Sequence, residues 1–551
     1  MVTEMKILQI REIKEIGERY LMLKLFWKGA ALGAAAVAGL SLAIGAYATK
    51  PANAEGTLVW AQPAAMSLMD PPQSCGWLTK NATHMIFDGL VELELGKPDA
   101  PWATLRPALA ETWTISDDGL VYTFNLRKGV KFHDGTPFNA SVAKWNYDRF
   151  LDPEAPQYSK VGAAFLSFYA RWVASNEVVD ENTFRVTLTE PNYEWLQVGQ
   201  SSCGQPEMIS PAAFEKYGEE DIAIHPVGTG PFKFVEREID VMVVLERNDD
   251  YYGEAPKLDR MIYRQITDPA TRISALRAGE VNMVTEPTWD EIDNLVDEGF
   301  QLLLQPNVPS VWYAQFNMKH GALQDVRVRR AINMAVDREG IAREILKGTG
   351  HAEHGMLSAG TFAYDPTYKP YPYDPEGAKK LLAEAGYADG LDLTFEIFDY
   401  GWNEAWEKWL QRDLKKVGIN LKLTKLEWMT YLGKWLQGMP EDVAMNSMGW
   451  GWSIPYWTAH ATRCDHHPPN GINGGWYCNE KIDALYAEAI KTQDKDKATK
   501  LYREANRIIM EEDVAFLPVF SYHNPILLAP NVKGFVNGQE NWYDFTLPWI
   551  E

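Results

Sequence analysis

Leu393-Thr394-Phe395-Glu396-Ile397-Phe398, then the stretch Ala405 to Val417, then Leu421-Lys422-Leu423-Thr424-Lys425-Leu426 decide the class of fold. The two outer runs read as strands and the inner one as a helix. Strand, helix, strand in that order is a βαβ unit, which joins parallel strands of one sheet. Just upstream, Asp374-Pro375 is an N-cap followed by proline at the first helical position. Ala378, Leu381, Leu382 and Ala385 then share one helical face, and Gly386 ends it. Val328, Ala331, Ile332 and Ala335 have the same spacing, as do Ile482, Leu485, Tyr486 and Ala489, and Ala498, Leu501, Tyr502 and Ala505. From about Val514 to Phe520 the chain is extended and apolar again.

The N-terminal half is richer in strands. Thr57 to Trp60 reads as a first strand. Ser116-Asp117-Asp118-Gly119 is a hairpin turn, and Leu120, Tyr122, Phe124 and Leu126 then alternate with the period of a strand. Asn139 is placed to cap the helix that carries Trp145. Residues 150–310 alternate strands with short helices, including Lys233 to Glu236 and Val241 to Glu246. The chain is therefore α/β, and its 551 residues exceed one hydrophobic core.

Residues 1–54 read as a targeting segment with an extension upstream of Met22. Lys24 and Lys28 flank an apolar, alanine-rich run from Gly29 to Ala46, and Ala52-Asn53-Ala54 is a small-residue cleavage site. Export with cleavage after Ala54 is the expectation. The formal net charge of −22 disfavours nucleic acid and anionic membrane surfaces. In an oxidising compartment four cysteines suggest two disulfides. Cys464 and Cys478 bound a loop rich in Pro, Gly and Asn and are paired; Cys75 and Cys203 are then left to each other. Zinc held by Cys464, His466, His467 and Cys478 is the competing reading, at a spacing that fits no common finger.

Enzyme chemistry is poorly represented. There is no Gly-x-Ser-x-Gly elbow and no His-Glu-x-x-His. Ser141-Val142-Ala143-Lys144 has the Ser-x-x-Lys spacing without its partner motifs. His351-Ala352-Glu353-His354 offers two imidazoles, yet a solvated turn is the simpler reading. Met448-Gly449-Trp450-Gly451-Trp452-Ser453-Ile454-Pro455-Tyr456-Trp457 is different, because uncharged rings so densely packed are either core or the wall of a ligand site.

Four segments, taken in order, resemble the extracytoplasmic solute-binding proteins of ABC importers, family 5, the peptide and nickel type. They are Pro107 to Trp113 with Tyr122 to Gly135; Gly228-Thr229-Gly230-Pro231-Phe232; Phe316-Asn317 with Asp325 to Ala331 and Asp337-Arg338; and Tyr373 to Leu382. The resemblance implies a two-lobe periplasmic binding protein fold of type II, with an extra subdomain and two hinge segments. The larger lobe would comprise residues 55–312 and 518–551, with the subdomain at about 95–215, and the smaller lobe residues 313–517. The hinge crossings are expected near Val308 to Phe316 and Val514 to Val519.

The same resemblance implies a monomer without a cofactor, which traps a small solute and delivers it to an inner-membrane permease with a separate ATPase. Peptide receptors of this family follow Gly-Trp with an Asp that is thought to receive the α-ammonium of the ligand. This chain keeps Gly449-Trp450 and has no acid before Pro455. That departure points to a modified peptide or sugar conjugate, with Asp399 available for an ammonium group. By family position the wall candidates are Trp450, Trp452, Ser453, Asp399, Tyr400, Trp402, Cys75, Trp77 and Tyr313. An oligosaccharide or metallophore receptor is the alternative, and a secreted hydrolase is the alternative of another class.

Overall fold

A computed structural model describes the chain from Gly56 to Glu551 except residues 67, 75, 96, 98–101, 103, 201–203, 306, 400–403, 452, 470 and 539–541. The expected leader (1–54) and Cys75, Cys203, Tyr400, Trp402 and Trp452 therefore lie outside the described residues.

The βαβ unit forms as read. Leu391–Phe398 and Ile419–Leu426 pair in parallel, with Leu391 opposite Ile419 and Phe398 opposite Leu426. The helix between them is Glu404–Lys416, and its residues Trp406, Leu410 and Leu414 are buried. A spacing of four puts those three on one face, which lies on the sheet; Trp406 meets Phe395 edge-on at 6.1 Å between ring centroids. Expected caps are in place. The Asp374 side chain accepts from the Gly377 N–H at 2.8 Å and that of Asn139 from the Val142 N–H at 3.1 Å. Cys464 and Cys478 form a disulfide.

A six-stranded sheet surrounds this unit, in the order Gly350–Ala352, Phe516–Tyr522, Val311–Phe316, Met445–Trp450, Leu391–Phe398, Ile419–Leu426. A seven-stranded sheet runs Gln301–Leu303, Ile526–Leu528, Met283–Thr285, Thr57–Gln62, Arg260–Gln265, Met242–Arg247, Phe232–Glu238. A third, antiparallel sheet of four strands runs Ala110–Ile115, Val121–Leu126, Thr183–Leu188, Val173–Asp180.

The chain passes from the seven-stranded to the six-stranded sheet over residues 304–310 and returns over 523–525. The two runs near which the crossings are expected are mostly strand, Val311–Phe316 and Phe516–Tyr522, each next to a connector. They are adjacent inner strands of one sheet, and their apolar character reflects burial there. His351 is also not in a solvated turn. It belongs to an edge strand paired with Phe516–Tyr522, and Glu353 beyond it is buried. In the Ser-x-x-Lys segment, Lys144 is paired with Asp148 at 2.7 Å. No helix among the described residues is long and apolar enough to cross a membrane.

Candidate ligand cleft

Strand direction marks the candidate cleft. In the six-stranded sheet Leu391–Phe398, Ile419–Leu426 and Met445–Trp450 are mutually parallel and end at one edge, handing on to Asp399, Glu427–Trp428 and Gly451. Val311–Phe316 runs the other way, so Val311, opposite Trp450, begins at that edge. In the seven-stranded sheet Thr57–Gln62, Arg260–Gln265 and Met283–Thr285 are parallel and end together, and Ile526 lies beside Thr285. Both connectors therefore join the edges where the parallel strands of each sheet finish. In open α/β sheets that edge is where ligands bind, because side chains and loops there are free of the strand ladder.

The connectors are bonded to one another. The N–H of Gln305 donates to the carbonyl of His523 at 2.8 Å, and Nδ2 of Asn524 donates to Oε1 of Gln305 at 3.0 Å. Ser521 Oγ donates to the carbonyl of Ser310 at 2.6 Å and lies 2.7 Å from Oε1 of Glu353. Glu353 also bonds Nε2 of His351 at 3.0 Å, whose Nδ1 meets Nε2 of His523 at 2.8 Å. Burial pushes His351 down, but its hydrogen bond to Glu353 and the charge of that carboxylate hold it above the ordinary value. Burial, with His351 adding to it, takes His523 down to about 4. The first connector lies directly on Gly451. A Cβ there would sit 2.0 Å from the carbonyl oxygen of Pro309, so the glycine in the Trp450–Trp452 stretch is required by the close approach of that connector.

The ring cluster divides. Trp450 is half-buried at the edge, with Trp435 edge-on at 5.6 Å. Ser453 is buried, and Ile454, Tyr456 and Trp457 belong to the core. Asp399 is exposed and held by Lys425 at 2.7 Å. Trp77, half-buried, opens the helix Trp77–Ile86 and lies 6.4 Å from Trp60. Tyr313 is buried beneath the edge. It is 1% exposed and packs edge-on against Phe516 at 5.4 Å, because its position in an inner strand points it into the core.

Trp428 escaped the sequence reading. It lies two residues past the strand Ile419–Leu426, stands on the same edge as Asp399 and Trp450, and is 37% exposed. Phe398 at 5.0 Å and Tyr431 at 6.2 Å back its ring. Its place two residues beyond a predicted strand end was the available signal. Among the described residues no group of three or more His, Cys, Asp or Glu is gathered as a metal site.

The sequence profile of the bacterial extracellular solute-binding proteins, family 5, matches residues 104–465. The chain belongs to this family. It is 30% identical over 511 residues to the glutathione-binding protein GsiB of Salmonella choleraesuis, covering 91% of this chain and 95% of that one. It is 31% identical over 491 residues to heme-binding protein A of Haemophilus influenzae, covering 83% and 85%. Among solved structures it resembles the ABC transporter-associated periplasmic binding protein DppA from Helicobacter pylori in complex with the peptide STSA. That match has a TM-score of 0.79 and 28% identity, over 90% of this chain and 98% of the other. The architecture is that of a type II periplasmic binding protein, and this family 5 member is a substrate-binding component of ABC transport.

Proposed function

We propose that the chain captures a peptide or peptide-like solute, or a sugar conjugate, by closing two lobes about the segments 304–310 and 523–525, and hands it to an inner-membrane permease powered by a separate ATPase. It acts as an exported monomer in the periplasm, cleaved after Ala54, and not as an enzyme. The larger lobe comprises residues 56–303 and 526–551, with the extra subdomain at about 95–215, and the smaller lobe residues 311–522. The observation that carries this reading is the family match across the body of the chain, from residue 104 to 465.

The ligand class draws on two supports. Relatives named for glutathione, for heme and for a complexed tetrapeptide share the fold, so the family cleft accepts peptides and large ring systems. On this chain's own cleft edge, aromatic surface is supplied by Trp428 and Trp450, and the carboxylate of Asp399 is already paired with Lys425. A buried ammonium group needs a carboxylate partner, and none follows Trp450 before Pro455. A solute with a planar or ring portion lying on Trp428, Trp450 and Trp452 suits such a wall better than a simple peptide amino terminus.

A thermal-shift screen of glutathione, di- and tripeptides, oligosaccharides and opine-like conjugates tests this. A true ligand raises the melting temperature because only the folded form binds it. With the solute so found, Trp428→Ala and Trp452→Ala should each weaken binding about ten-fold, since a stacking ring contributes on the order of 1–3 kcal/mol. Unchanged affinity in calorimetry would remove that tryptophan from the wall. A screen in which only simple peptides with free amino ends stabilise the protein would reverse the ligand assignment.

A further inference from the structure

The region of the four-stranded sheet and the helices Glu480–Ala489 and Lys495–Arg507 share an interface. The Tyr193 N–H donates to the carbonyl of Ile490 at 2.9 Å. Lys491 pairs with Glu190 at 2.7 Å, and Trp172 meets Tyr456 edge-on at 6.1 Å. Inside this interface lies Glu194, 7% exposed. Its Oε1 accepts from the hydroxyl of Tyr502 at 2.7 Å, across 308 positions of sequence. The backbone N–H of Tyr456 also favours the charged form of the carboxyl group.

The surroundings of Glu194 hold no matching cation. Among the described residues none lies within ion-pair distance of it, and Lys495 acts only from farther off. The other titratable groups packed around it are phenols: Tyr502, Tyr456, and Tyr486 at 6.0 Å from Tyr456 and 6.1 Å from Tyr502. Lys491 and Glu190, at the margin, neutralise each other. A carboxylate kept from water without a counter-ion is costly, whereas the neutral acid is not.

We propose that Glu194 is a proton-operated latch, taken into this interface as the neutral acid when the lobes close and released to water as the carboxylate when they part. The inference rests on the hinge-closure reading above. Burial pushes the Glu194 carboxyl up from 4.5 to about 7, against the opposing pull of Tyr502, Tyr456 and Lys495. A group whose value is raised on closing favours closure fully below its open-state value and loses that effect as pH rises through its closed-state value. Closure is thus assisted in mildly acid surroundings and opening in mildly alkaline ones. With 4.5 and 7 as the two values, the bias toward closure falls about ten-fold between pH 6 and pH 8.

Hydrogen exchange of the full exported chain, without added solute, reads this directly at the Tyr193 amide and across residues 486–502. Protection, corrected for the chemical exchange rate, should fall about ten-fold from pH 6 to pH 8 in the wild type. In Glu194→Gln, which keeps an acceptor for Tyr502 and carries no charge, protection should stay high at both pH values. The same pH dependence in both proteins, or none in the wild type while the interface still opens, overturns the latch alone. Exchange of these amides only through global unfolding, in both proteins at both pH values, overturns hinge closure at this interface and the latch with it.

Discussion

Replacing Asp70 by alanine is expected to lower folding stability by about 3–5 kcal/mol, the penalty for leaving a buried charge without its partner. Asp70 and Arg149 form a bidentate pair, Nη1 to Oδ1 and Nη2 to Oδ2, both at 2.7 Å. Neither side chain is more than 1% exposed. The guanidinium also lies 5.1 Å from the ring of Phe214, and Gln73 donates to Oδ2 of Asp70 at 2.7 Å. Asp70 belongs to the segment between Thr57–Gln62 and Trp77–Ile86, whereas Arg149 sits on the helix Ala140–Leu151. The bond therefore anchors the loop that leads to Trp77 against the region of the four-stranded sheet. Urea denaturation at neutral pH should show a much earlier midpoint for Asp70→Ala. The double variant Asp70→Val with Arg149→Met should lose far less, because no charge is then stranded. Equal losses in the two variants would mean that packing, and not the ion pair, sets the cost.

Gly228→Ala is expected to destabilise the protein by about 3 kcal/mol or more, as overpacking against fixed backbone does. A Cβ at Gly228 would fall 2.0 Å from the carbonyl oxygen of Ile86 and 2.6 Å from the ring of Phe87. Neither can yield easily. Ile86 ends the helix Trp77–Ile86, and its carbonyl accepts from the Gly230 N–H at 2.9 Å. Thr229 between the glycines donates to Oδ2 of Asp88 at 2.5 Å. From the other side the N–H of His133 donates to the carbonyl of Gly228 at 2.8 Å, and Nε2 of His133 meets the carbonyl of Gly230 at 3.0 Å. Soluble yield and the urea midpoint check the expectation, with Thr229→Ser as a variant that keeps the hydroxyl and both glycines. An unchanged midpoint in Gly228→Ala would mean that the helix end moves freely.

These bonds explain why separate stretches of sequence could be read as one signature. Gly228-Thr229-Gly230 and the turn at His133 are distant in sequence and joined in space. The glycines are dictated by backbone contact, which tolerates no side chain. The βαβ unit was equally legible, since the buried face of Glu404–Lys416 and the caps at Asp374 and Asn139 are local patterns. The same holds for the Cys464–Cys478 disulfide, closed over a short loop. Legibility failed where two segments had to be weighed against each other. Val514 to Val519 reads as extended near a crossing, but it is buried and from Phe516 it is an inner strand, while the run that links the two sheets is 523–525. Tyr313 and Trp428 differ in exposure for a related reason. An inner strand carries the first into the core, while the second stands past a strand end at the surface.

By itself the sequence determined the α/β class, the family, the disulfide loop and the edge of rings that begins at Gly449-Trp450. Each depends on periodicity, capping, close backbone approach or a motif within a few residues. Only the tertiary structure decided where the connectors run, that Gly451 lies under Pro309, that Tyr456 and Trp457 are core, and that Glu194 faces Tyr502. Those facts depend on which distant segments exclude water from one another, and desolvation is a property of the assembled chain.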